Sequence, residues 1–139
     1  MAAVVRPELS TKNKYRVEKH RFYELKHFCL QYPIWKKKYA EIKVASSKPI
    51  DEITSSGRSG YSDPTGNQAA DIAMYGDRIK LIESIAMVAD PGLCDYILKG
   101  VTEDLSYTCL RTRHNIPCSR NTYYDRYRRF FWLLDVKKK

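Results

Sequence analysis

Ile72, Tyr75, Ile79, Ile82, Ala86 and Ala89 recur at alternating steps of three and four through six positions. That spacing lines one face of a helix, whereas a half-buried strand would alternate every second residue. It predicts a helix over residues 69–89, with Ile85 widening the apolar seam. A seam of this kind has to be covered. The sequence offers a second copy, in the manner of a coiled coil, or another helix of the same chain. The stretch is short for an autonomous coiled coil, which favours packing against the chain's own first helix.

Upstream, Tyr15, Phe22, Leu25, Cys29 and Tyr32 share one face of a helix predicted over residues 10–32, with Ser10 or Thr11 as its cap. Pro33 ends or kinks it, because proline lacks an amide hydrogen and restricts the residue before it. A second short helix follows over residues 34–42, with Trp35 and Tyr39 on one side and Lys36, Lys37 and Lys38 on another. Residues 45–68, rich in Ser, Gly, Pro and Thr, read as a mobile linker. Asp63-Pro64 and Gln68 mark possible starts for the next helix. With no strand-rich stretch, the fold class is all-α: an N-terminal helical segment (1–44), a linker (45–68), a long central helix (69–89) and a C-terminal helix-turn-helix (90–139).

The C-terminal part carries the functional reading. Asp90-Pro91 opens a short helix that buries Leu93, Ile97 and Leu98, with Gly100 as its stop. Ser106 caps a helix over 107–114 that buries Leu110. Asn115 tolerates the left-handed exit, Pro117 blocks continuation, and Ser119 caps a third helix over 120–134. At about 100° per residue, Tyr123, Tyr127, Phe130, Phe131 and Leu134 fall on one face of that helix. Asn121, Asp125, Arg128 and Arg129 fall on the other, with Arg120, Thr122 and Tyr124 at the margins.

An α-helix fits the major groove, where arginine forks onto guanine and asparagine onto adenine. Hydroxyls and further cations hold phosphates. Arg111, Arg113 and Ser119 join the set as backbone contacts, so the expected DNA-binding residues are Arg111, Arg113, Ser119, Arg120, Asn121, Thr122, Tyr124, Asp125, Arg128 and Arg129. Charge agrees. The formal net charge is +9, and residues 106–139 hold 9 Lys/Arg against 2 Asp/Glu. Residues 1–48 hold 12 against 4, whereas residues 49–105 hold 4 against 10. The basic ends can thus share one phosphate-facing surface, or each can pair with the acidic middle; sequence leaves both open.

The stretch Leu98–Leu134, LKGVTEDLSYTCLRTRHNIPCSRNTYYDRYRRFFWLL, resembles the sigma-factor region-4-like helix-turn-helix of phage transcriptional activators of the RinA/ArpU type. The likeness rests on Leu105-Ser106-Tyr107, on Ser119-Arg120-Asn121-Thr122 and on Tyr123–Arg129. The upstream Ser55–Ala73, with its Asp-Pro-Thr linker, extends it to residues 55–134. The chain departs from the pattern in a longer turn at Asn115–Cys118 and in Asp104-Leu105, where glycine is common. The resemblance implies a DNA-binding regulator of phage or prophage genes in a bacterial cytoplasm, with double-stranded DNA as ligand and host RNA polymerase as a possible partner.

Other chemistry is poorly supplied. Cys109-x4-His114-x3-Cys118 lacks a local fourth ligand for zinc. His20 and His27 have no carboxylate placed to orient them, and Ser56–Gly60 lacks the ending of a phosphate loop. Asp63, Asp71 and Asp77 are scattered rather than clustered for catalytic metals. The expectation is therefore no enzyme, no cofactor and no metal. Four cysteines without a C-x-x-C pair suit a reducing compartment, and no apolar run approaches a membrane span. The leading reading is a sequence-specific regulator acting as a dimer or other homo-oligomer. Its rivals are a DNA-packaging recognition subunit, like a small terminase, and a protein-binding inhibitor or adaptor using its Tyr/Arg/Trp surface.

Overall fold

A computed structural model describes residues 15–46 and 65–138. Among these residues the chain is all-helical, with six helices: α1 (Lys19–Leu30), α2 (Tyr32–Ser46), α3 (Thr65–Ala89), α4 (Cys94–Glu103), α5 (Tyr107–His114) and α6 (Arg120–Lys137). The proposed Ser10 and Thr11 caps, most of the 45–68 linker and the Asp63-Pro64 start lie outside the described residues.

The central seam is buried within the chain from Ile79 onward, whereas Ile72 and Tyr75 are half-buried. Ile79, Ile82, Ile85, Ala86 and Ala89 all lie in the core. Their cover differs from the expectation: α3 packs on α2, α6 and α4 rather than on α1. The reason lies at Pro33. Gln31 separates α1 from α2, and Pro33 sits in the first turn of α2, where its missing donor costs nothing. The chain therefore doubles back, so that α2 runs antiparallel along α3. The Tyr32 hydroxyl donates to Glu83 Oε2 at 2.5 Å, Arg78 stacks on Trp35 at 5.2 Å, and Tyr39 lies against Gly76. Lys36, Lys37 and Lys38 face solvent.

In α1, Phe22, Leu25 and Cys29 are buried as the periodicity requires. Tyr15 is not on that face. The helix begins only at Lys19, and Tyr15 instead packs on Trp132 of α6, 5.7 Å between ring centroids. Val17, also ahead of α1, is buried. The ring pair Phe22–Phe131, 5.0 Å apart, joins α1 to α6.

The three C-terminal helices keep the predicted order, and two of them keep the predicted caps, Ser106 and Ser119. Asp90 is not the cap of α4: its Oδ1 accepts from the amides of Gly92 (2.9 Å) and Leu93 (3.3 Å) and closes a turn, after which α4 starts at Cys94 with Leu93 at its N-cap and no side-chain cap. Gly100 is not the stop. It lies buried inside α4, and the helix ends at Asp104, which takes the left-handed conformation at φ 56°. There the Leu105 amide donates to the Gly100 carbonyl at 3.2 Å, a 6→1 closure of the last turn.

Gly100 is small for another reason. A β-carbon there would sit 2.0 Å from the Tyr123 hydroxyl, which is buried and has no hydrogen-bond partner among the described residues. Alanine in place of a helical glycine ordinarily adds stability. Here the sign reverses: Gly100→Ala is expected to lose about 1–3 kcal/mol through overpacking. Tyr123→Phe, by removing the unsatisfied hydroxyl, is expected to gain about 1 kcal/mol and to relieve part of the Gly100→Ala loss. Urea midpoints of both single variants and the double variant check this, and a stabilised Gly100→Ala would refute it.

Candidate nucleic-acid interface

The tight connection between α5 and α6 is built from its own side chains. The Ser106 hydroxyl accepts from the Cys109 amide at 3.2 Å and the Ser119 hydroxyl from the Thr122 amide at 3.2 Å, capping the two helices. Asn115 leaves α5 in the left-handed conformation, at φ 54°. The Ile116 amide then donates to the Leu110 carbonyl at 3.2 Å while its side chain is fully buried. The sequence reading assigns Asn115 and Pro117 their parts in this turn but gives Ile116 none. A lone apolar residue beside a left-handed asparagine was the available signal, since the residue after such an exit commonly packs back on the helix.

Two tyrosines lock the connection. The Tyr107 hydroxyl donates to the Cys118 carbonyl at 2.5 Å, and the Tyr107 amide donates to the Tyr124 hydroxyl at 3.2 Å. That second bond satisfies one of the free amides at the start of α5. The Arg120 guanidinium lies 5.4 Å from the Tyr107 ring and 5.9 Å from that of Tyr124, and donates to Thr108 Oγ1 at 3.1 Å. Ser119, Arg120, Thr122 and Tyr124, all expected at the DNA, are thus also parts of the scaffold.

On α6 the division of faces is as the spacing predicts. Tyr123, Tyr127, Phe130, Phe131 and Leu134 are buried. Asn121 is exposed, and Asp125, Arg128 and Arg129 are half-exposed. Arg111 and Arg113 are exposed on α5, with Arg111 Nη1 also reaching the Ile116 carbonyl at 3.5 Å. Arg113 has no partner among the described residues. The Nε atoms of Arg128 and Arg129 are covered yet without a hydrogen-bond partner among the described residues, and Arg129 Nη1 lies 3.5 Å from the Tyr15 hydroxyl. With Tyr15 across Trp132 and Arg129, the open length of the outer face runs from Asn121 to Arg128.

The acidic middle segment makes two ion pairs among the described residues, one with α1 and one with α6, neither of them on the outer arginines. Asp104 pairs with Lys26 of α1 at 3.6 Å. Asp90 Oδ2 accepts from Arg126 Nε at 2.8 Å, and Arg126 Nη1 also holds the Asp125 carboxylate. Arg126 was absent from the expected site, and it faces sideways into this ion-paired chain rather than outward. No group of three or more His, Cys, Asp or Glu side chains is arranged to hold a metal among the described residues. All four cysteines are free thiols, and none of the described helices is long and apolar enough to cross a membrane. No protein-family model, no curated protein and no solved structure matches the chain.

Burial pushes the Asp90 carboxyl up, but the hydrogen bonds from Arg126 and from the Gly92 and Leu93 amides outweigh it, so its pKa lies below the ordinary value. A carboxylate lowered in the folded state adds stability that is complete above the unfolded value, near 4, and is lost as pH falls through the folded value. Asp90→Asn is therefore expected to be less stable than wild type at pH 7 and to lose less stability on acidification below about pH 4. Urea midpoints measured from pH 7 down to 3 decide it; parallel curves for the two proteins would show that this carboxylate contributes no pH dependence.

Proposed function

We propose that this chain is a sequence-specific regulator that binds double-stranded DNA, of the kind found in phages and prophages. α6 enters the major groove, and α5 with the N-terminus of α6 holds the flanking phosphates. The observation that carries this reading is the orientation of α6. Its aromatic side is consumed by the core, which leaves Asn121, Asp125 and Arg128 along an open outer stripe beside Arg111, Arg113 and Arg120. Asn121, Asp125 and Arg128 are side chains suited to base edges, and the exposed Arg111, Arg113 and Arg120 are suited to phosphates. The +7 net charge of residues 106–139 supplies the attraction.

In this reading α2 and α3 form the oligomer contact or the surface that meets RNA polymerase. Ile34 and Val44 on α2, and Met87 and Val88 on α3, are each more than half exposed and supply apolar side chains for such a contact. A packaging subunit would share the DNA contacts and differ in forming a large ring, which a solution mass distinguishes. A protein-binding adaptor would lack salt-dependent duplex binding altogether.

Arg128→Ala and Asn121→Ala are each expected to cost roughly 1–3 kcal/mol on the preferred sequence and to relax specificity. Arg113→Ala is expected to weaken all duplexes alike and to flatten the log–log salt dependence by about one unit. Gel-shift titrations of the three variants over a salt series test the assignment. Unchanged binding by all three would reject it.

A further inference from the structure

We infer that Asp125 reads the exocyclic amino group of a cytosine, and that Arg126 and Asp90 are the positioning residues that hold it for that task. The inference rests on the DNA-binding reading above and deepens it. A carboxylate midway along an otherwise cationic outer face is costly beside phosphates, so its position there calls for a reason. Its surroundings supply one.

Asp125 Oδ2 accepts from Arg126 Nη1. Arg126 Nε in turn donates to Asp90 Oδ2 at 2.8 Å, and Asp90 Oδ1 is fixed by the Gly92 and Leu93 amides. The chain of contacts thus runs from α6 to the backbone of the α3–α4 turn. It shares one guanidinium between two carboxylates, so the Asp90–Arg126–Asp125 chain keeps a net negative charge, but it ties the Asp125 side chain into one arrangement. Oδ1 is left without a hydrogen-bond partner among the described residues, on a side chain that remains 34% exposed. What remains is one oriented acceptor, suited to one donor.

Base edges in the major groove sort sharply against such a group. Guanine presents two acceptors and thymine an acceptor and a methyl group, so both repel or exclude a carboxylate. Adenine has an amino group, but its N7 acceptor lies beside it. Cytosine presents the amino group alone. Arg128 lies three residues further on, about 4.5 Å along the helix at 1.5 Å per residue. That is close to the 3.4 Å step between base pairs, so its fork falls on a guanine next to the cytosine. Asn121, a turn earlier, falls on the other side, where adenine suits its amide.

The test is selection from a randomised duplex library with the intact wild-type chain, Asp125→Ala and Asp125→Asn, each first checked for a cooperative thermal melt. Wild type should enrich cytosine beside guanine at one position. Asp125→Ala should lose roughly tenfold discrimination at that cytosine and leave the other positions unchanged. Asp125→Asn should move the preference at the same position towards adenine. Identical sequence preferences for wild type and both variants would reduce Asp125 to an ion-pair partner of Arg126 and overturn the inference while leaving DNA binding intact. A wild-type chain that selects no sequence at all would overturn the DNA reading, and this inference with it.

Discussion

Tyr123, Tyr127, Phe130, Phe131 and Leu134 bury one side of α6 against α1, α3 and α4 over about three turns. Each such side chain gains roughly 2 kcal/mol by leaving water, so a helix anchored along this length cannot roll without exposing rings and burying guanidinium groups. Everything said of the outer face follows from that. Its residues project outward because their neighbours at steps of three and four are held inside. The ring pair Phe22–Phe131 extends the same anchorage to α1, and the seam of α3 supplies the floor.

Rigidity along the length of α6 would be of little use if its N-terminus were loose. The α5–α6 turn is held by its own side chains. Ser119 caps α6, the Tyr107 hydroxyl grips the Cys118 carbonyl, the Tyr124 hydroxyl serves the first amide of α5, and Ile116 plugs the turn from below. Fit has a cost as well. The Tyr123 hydroxyl stands against Gly100 with no hydrogen-bond partner among the described residues, a sign that ring packing was favoured over polar satisfaction at the α4–α6 contact.

Periodicity made much of this architecture legible. The α3 seam, the α6 aromatic face and the Ser106, Ser119 and Asn115 boundary residues all follow from spacing and local capping chemistry, which act within a few residues of one another. What was not legible depends on contacts distant in sequence. Gly100 reads as a helix stop until Tyr123 is placed beside it. Tyr15 reads as one more helical apolar residue until Trp132 meets it, 5.7 Å away. The cover of α3 depended on how the chain turns at Pro33. At the outer face, spacing separated Asn121, Asp125, Arg128 and Arg129 from the core, but it could not place Arg126, whose role is set by Asp90 36 positions upstream.

We propose that the outer side of α6 is the surface that meets DNA. Backbone amide chemical shifts followed during titration with the selected duplex test it most directly. The account predicts large shifts clustered at Arg111, Arg113 and residues 119–129, with the amides of the α3 seam nearly unmoved. Shifts concentrated on α2 and α3 instead, or none at all on α6, would contradict it.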